Sequence, residues 1–184
     1  ARERVVLRDG VVVEVEVLVA KGSNSGIYLM GEYEIQVLDS FGEAKLGAKD
    51  MGAIYGVGPP AVNACKAPGQ WQKFVIEYRA PKFNAEGRKT ANGRVVKVTL
   101  NDTIIQENVE LPYASNGGLS TGAKKLAGAK NVRGTEVRVG PILFQGNHGP
   151  VAYRNIRIKP MDEPASRESW VNPPKAAIPG VEHR

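Results

Sequence analysis

Cysteine is almost missing from this chain. Cys65 is the single example, so an internal disulfide and a four-sulfur zinc site are both excluded, and a small buried thiol is the expected fate of this residue. Long apolar runs are missing too. The Val-rich stretch from Val11 to Val19 is interrupted by Glu14 and Glu16 and falls well short of the roughly 20 residues that a spanning helix needs. No phosphate loop, dinucleotide fingerprint or paired-histidine zinc helix occurs, and no serine or cysteine sits in a nucleophile-elbow context. The one local excess of positive charge, Lys124, Lys125, Lys130 and Arg133, lies in a Gly/Ala-rich stretch without aromatics. Base stacking has no platform there, and nucleic acid is not an expected partner. The chain opens on Ala1-Arg2-Glu3-Arg4 with neither an initiator Met nor a signal peptide. That beginning predicts a processed product acting outside the cytoplasm, extracellular or periplasmic.

What is present reads as one globular β domain. A chain of 184 residues, 42% hydrophobic and 24% charged, suffices for one well-buried core. The 21 Gly and 12 Pro point to many turns. Almost no window holds a period of 3.6, whereas short alternating runs recur at Val12–Val19, Gly26–Leu29, Tyr33–Leu38, Trp71–Arg79, Arg94–Leu100, Thr103–Leu111, Glu136–Phe144 and Tyr153–Lys159, each ending at Gly, Pro, Asn or Asp. Val13, Val15, Val17 and Val19 share one face of the first. Arg8-Asp9-Gly10 predicts a hairpin between Arg4–Leu7 and that strand, and Asn101-Asp102 predicts a second, because both residues tolerate left-handed backbone. The pattern predicts an all-β antiparallel sandwich, a jelly roll, over residues 1–160, with long loops at 42–66, 84–93 and 115–134. Beyond it, residues 161–184 form a Pro-rich tail in which Pro164, Pro173, Pro174 and Pro179 forbid regular structure.

Chemistry concentrates in Tyr33-Glu34-Ile35-Gln36-Val37-Leu38-Asp39-Ser40. Alternation sends Glu34 and Gln36 to one face and Ile35 and Val37 to the other. Asp39 falls on the wrong side unless a bulge near Val37 or Leu38 rotates it back, which would set two carboxyl groups and an amide on one concave surface. Paired carboxyl groups serve sugar hydrolysis, where one donates a proton while the other stays ionised. The plainer alternative is a strand with a solvated polar face. His148 lies between glycines at a strand connection, where it suits an acid, a base, a metal ligand or simply an exposed turn. Arg154 alternates with Ile156 and Ile158, so it is expected to face inward and meet a carboxylate, with Glu34 and Asp39 the natural candidates. Trp71 and Tyr55 have faces that could stack on sugar rings, although a Trp opening a strand is more often core.

Taken together these motifs resemble the 3-keto-disaccharide hydrolase domain family. The resemblance is carried by Asn24-Ser25-Gly26-Ile27-Tyr28-Leu29, the Tyr33–Ser40 run, Gly52-Ala53-Ile54-Tyr55-Gly56, Pro59-Pro60, Asn63-Ala64, Pro68-Gly69-Gln70-Trp71 and Val98-Thr99-Leu100-Asn101. Gly140-Pro141-Ile142, Gln145, His148 and Arg154-Asn155-Ile156-Arg157-Ile158 complete it. The resemblance implies a concanavalin-like jelly roll related in architecture to glucanases that carry two glutamates flanking an aspartate on one strand. Gln36 stands where the middle acid would be, and an amide cannot share a proton as a carboxyl group does.

The resemblance further implies action on sugars oxidised at C3, where the ketone acidifies the C2 hydrogen, a base removes it, the glycosidic oxygen leaves, and water adds back. Glu34 or Asp39 is then the base, and His148 or Arg154 polarises the carbonyl or protonates the leaving group. Gln36, Tyr55, Trp71, Gln145 and Asn24 hold the carbohydrate. No cofactor is implied beyond a divalent cation that the same carboxylates are suited to bind. Family members commonly begin with Phe-Asn-Gly and Gly-Trp elements that this chain lacks, and a missing early strand exposes a sheet edge. Either Ala1–Leu7 fills that edge or a neighbouring subunit does. Two alternatives follow: a structural or surface subunit that forms a homo-oligomer or larger assembly by strand or tail exchange, and a glycan-binding module without catalysis.

Overall fold

In β1 (Gly10–Val19) every second side chain is removed from water: Val11, Val13, Val15, Val17 and Val19 are buried while Glu14 and Glu16 stay partly exposed. The computed structural model describes residues 10–121 and 136–161. The segment Ala1–Leu7, the Arg8-Asp9-Gly10 hairpin, the basic cluster at 124–133 and the tail beyond Met161 therefore lie outside the described residues. β4 (Trp71–Arg79) repeats the alternation with Gln72, Phe74, Ile76 and Tyr78 inward. β7 (Gly93–Leu100) and β8 (Thr103–Leu111) follow, joined at Asn101 (φ 51°) and Asp102 (φ 66°) by the left-handed two-residue turn their side chains predict. Together with β10 (Val151–Pro160) these strands form a five-stranded antiparallel sheet in the order β10-β1-β4-β7-β8.

The second sheet has three strands in the order β3-β2-β9, formed by β2 (Asn24–Leu29), β3 (Tyr33–Leu38) and β9 (Leu143–Phe144). Ile27, Leu29, Ile35 and Val37 on its inner face join the valines of β1 and the apolar residues of β4 and β7 in one continuous core. This is an antiparallel β-sandwich of the jelly-roll type. A small pair, β5 (Lys82–Phe83) and β6 (Lys89–Ala91), stands apart. No helix among the described residues is long and apolar enough to cross a membrane.

The strand predicted over Glu136–Phe144 shrinks to β9. Gly140 explains why: a Cβ there would overlap the carbonyl oxygen of Met30, and Pro141 has no N–H to donate to a ladder. Upstream, the Glu136 carboxylate is buried against Lys89 at 2.6 Å and accepts from the Tyr33 hydroxyl at 3.2 Å. That stretch is fastened by side chains instead of a ladder.

β2 and β3 are buried on both faces, so the second face of their sheet is not a solvated surface. The loop after β3 accounts for part of this. Gln36 N donates to Ala53 O, Gly52 N to Gln36 O and Tyr55 N to Glu34 O, all within 3.0 Å. The edge of β3 is thereby paired by irregular backbone.

Candidate active site

The covered face of the small sheet forms the floor of a cavity of about 420 Å³, within the roughly 300–1,000 Å³ range of small-molecule sites. Alternation builds that floor. Asn24, Gly26 and Tyr28 of β2 point to the side away from the core, as do Glu34 and Gln36 of β3, and antiparallel register sets Gly26 opposite Gln36 and Tyr28 opposite Glu34. Tyr55 from the loop after β3 and Gln145 and His148 from the loop before β10 contribute to the walls. That second loop is stitched down by backbone bonds, Gln145 N to Gly26 O and Asn24 N to His148 O, each 3.0 Å.

Four amides and one buried acid give the cavity its chemistry. Gln36 Nε2 donates to Asn24 Oδ1 at 2.7 Å. This leaves the Gln36 carbonyl and the Asn24 amino group for a ligand's hydroxyls. Glu34 is 5% exposed, and burial pushes its carboxyl above the usual carboxylate range, opposed by a hydrogen bond from Tyr28 and by the charge of His148. Its backbone is held as well: Glu34 N donates to Ser115 Oγ at 3.0 Å, and that hydroxyl donates to Tyr55 O at 3.1 Å. Among the described residues, Glu34 is the one carboxylate lining the cavity.

Asp39 is not brought there. The pairing of β2 with β3 is regular from Leu29–Tyr33 to Asn24–Leu38, so the bulge that would have rotated Asp39 is absent. Its carboxylate instead accepts from Gly22 N at 2.9 Å in the turn before β2. The two carboxylates expected to share a cation do not converge, and among the described residues no group of three or more His, Cys, Asp or Glu could hold a metal ion.

Arg154 departs from its expected place for the opposite reason. Here a bulge does occur: Glu14 pairs with Arg157 and Glu16 with Arg154, so β10 carries one extra residue, and Asn155 sits at φ 51°. The bulge flips Arg154 from the face of Ile156 to the outer face. There it binds Glu16 at 2.6 Å and its guanidinium lies 3.9 Å from the centre of the Trp71 ring. Trp71 is thus neither core nor cavity wall. Arg154→Ala is expected to cost at most about 1 kcal/mol of stability and to leave sugar turnover unchanged, as a denaturant titration and an assay would show. A tenfold loss of turnover would return Arg154 to the site.

Tyr28, Leu38, Lys49, Asn116 and Gly117 also line the cavity and were not singled out by sequence reasoning. Tyr28 had a usable signal, since it shares the face of Asn24 and stands one hairpin turn from Glu34. Lys49, Asn116 and Gly117 come from loops whose course no periodicity reveals.

Residues 9–159 match the family model described as a 3-keto-alpha-glucoside-1,2-lyase-like domain. The chain belongs to this family. Three solved structures of candidate glycosyl hydrolases from Parabacteroides distasonis are similar to it. One aligns at 26% identity with a TM-score of 0.65 and covers 83% of this chain and 64% of that one. The other two, at 20% and 16% identity with TM-scores of 0.53 and 0.52, cover 82% and 88% of this chain and 78% of each of theirs; they show the shared fold alone. The chain thus spans just under two thirds of the length of the first of these relatives. No curated protein matches significantly.

Proposed function

We propose that this domain cleaves glycosides oxidised at C3, by elimination followed by hydration. The observation that carries the reading is Glu34: a buried carboxylate, its pKa raised, that lines the cavity with no second carboxylate among the described lining residues. Ordinary retaining or inverting hydrolysis uses two carboxyl groups at set separations. Elimination next to a ketone needs one base, because the carbonyl already acidifies the neighbouring C–H. Membership of a lyase-like family supports the same chemistry.

In this scheme Glu34 takes the proton from C2, and the C–H electrons pass towards C3 as an enolate. Collapse of the enolate restores the ketone, forms the C1–C2 double bond and breaks the bond from C1 to the glycosidic oxygen, which takes a proton from His148. Water then adds at C1 while a proton returns to C2. Gln36, Asn24 and Gln145 orient the ring through its hydroxyls, and Tyr55 supplies an aromatic face.

The test is a paired assay on a 3-keto-glucoside and its unoxidised parent, with and without chelator, alongside mass in solution. Turnover of the keto sugar alone is expected. Equal turnover of both would sink the elimination scheme. Binding without turnover would transfer the site to a glycan-binding module, and inactivity together with a very large assembly would favour a structural subunit.

A further inference from the structure

Tyr28 and Glu34 face each other directly across the β2–β3 pair. Both are buried, at 2% and 5% exposure, and their shared face places the phenol to donate to the carboxylate. Two bare stretches of backbone make this arrangement possible. A Cβ on Gly26 would overlap Glu34 Oε1, and a Cβ on Gly117 would overlap the Tyr28 hydroxyl. Neither glycine has a positive φ, so backbone conformation does not require glycine at either position; a side chain there would instead have to displace the acid or the phenol. Glycine inside a strand weakens it, and at Gly26 the close approach of the acid is what that cost accompanies.

We infer that Tyr28 is the positioning residue of this site: its hydroxyl fixes the Glu34 carboxylate in the orientation from which it removes the sugar's proton, and Gly117 is bare to admit that hydroxyl. The inference rests on the reading of Glu34 as the base. Burial and the neighbouring negative charge of Glu34 push the Tyr28 phenol well above its ordinary range, so it remains protonated, and able to donate, at neutral pH. A donor to the ionised carboxylate stabilises that form, which counteracts part of what burial does to Glu34. The other titratable groups facing the pair are His148 from the loop before β10, Tyr55 and Lys49 from the loop after β3, and Tyr153 of β10. Of these, His148 favours the ionised carboxylate.

The experiment uses the full chain and two readouts that need no sugar. First, the carboxyl titration of Glu34 is followed by NMR in glutamate-labelled protein, its signal assigned by its loss in Glu34→Gln. In Tyr28→Phe the midpoint is expected to move up, and the acid limb of kcat/KM for a 3-keto-glucoside should move with it, kcat falling more than KM changes. Second, Gly117→Ala is combined with Tyr28→Phe in a thermal-stability cycle. Alone, the alanine is expected to lower Tm by about 2–8 °C through overpacking. In the Tyr28→Phe background, where the hydroxyl is gone, the loss should shrink to less than half. An unmoved midpoint, or an equal Tm loss in both backgrounds, overturns the inference. A moved midpoint and a coupled cycle without consumption of the keto sugar would discard the substrate while upholding the Tyr28–Glu34 pair.

Discussion

Glu34→Gln is expected to lower turnover of a 3-keto-glucoside by about 10²–10⁴-fold, the usual contribution of a general base, while the domain becomes no less stable at neutral pH. The two halves of this result have one cause. Glu34 is buried, and its pKa in the fold lies above the ordinary value chiefly because burial penalises the charge. Folding therefore binds a proton as pH passes from the unfolded value to the folded one. Stability declines as pH rises across that window and stays lower above it. Glutamine fills nearly the same space, can still accept from Tyr28, and does not titrate. Unfolding of the wild type and Glu34→Gln should thus be compared at acid pH and at pH 7. The stability of the wild type relative to the variant should fall with rising pH. If the difference is flat, burial does not govern this carboxyl; if activity survives, Glu34 is not the base.

The same physical features decide what was legible in advance. The face of β3 carrying Glu34 and Gln36 could be read from alternation alone, because its register with β2 runs without interruption. So could the turn at Asn101-Asp102, where the residue types themselves permit positive φ. Bulges are harder to read. The structure places none where Asp39 required it and one where Arg154 did not, and a bulge depends on pairing with a partner strand distant in sequence. Nothing near Arg154 announces the bulge except Asn155, a residue that tolerates left-handed backbone and is equally common in turns. Tyr28 was hidden for a different reason. An aromatic residue in a strand of a sandwich is most economically read as core, and although alternation with Asn24 puts it on the other face, its place beside Glu34 and against Gly117 comes only with the fold. The walls from Lys49, Asn116 and Gly117 were illegible because tertiary hydrogen bonds, not periodicity, direct those loops.

One such set of bonds carries the last expectation. Glu32 is fully buried at the turn between β2 and β3, yet it lines no part of the cavity. Its carboxylate accepts from Ser120 N, from Ser120 Oγ at 2.7 Å and from Val137 N, while its backbone oxygen accepts from Ser115 N at 2.8 Å. These bonds seat the segment that presents Asn116 and Gly117 to the cavity and Ser115 to the backbone of Glu34. Glu32→Ala leaves those donors buried without an acceptor and should cost about 2–5 kcal/mol, measured by denaturant unfolding. Glu110→Ala, at an exposed carboxylate that accepts from Asn92, should stay within about 0.5 kcal/mol. A wall set loose also alters binding before it alters chemistry, so at temperatures where Glu32→Ala remains folded, KM for the keto sugar should rise more than kcat falls. A stability loss below 1 kcal/mol would mean that water or neighbouring groups replace the carboxylate. An unchanged KM in a destabilised variant would mean that the 115–121 segment keeps its place without this anchor, and that the cavity wall is set by the hydrogen bonds of Ser115 alone.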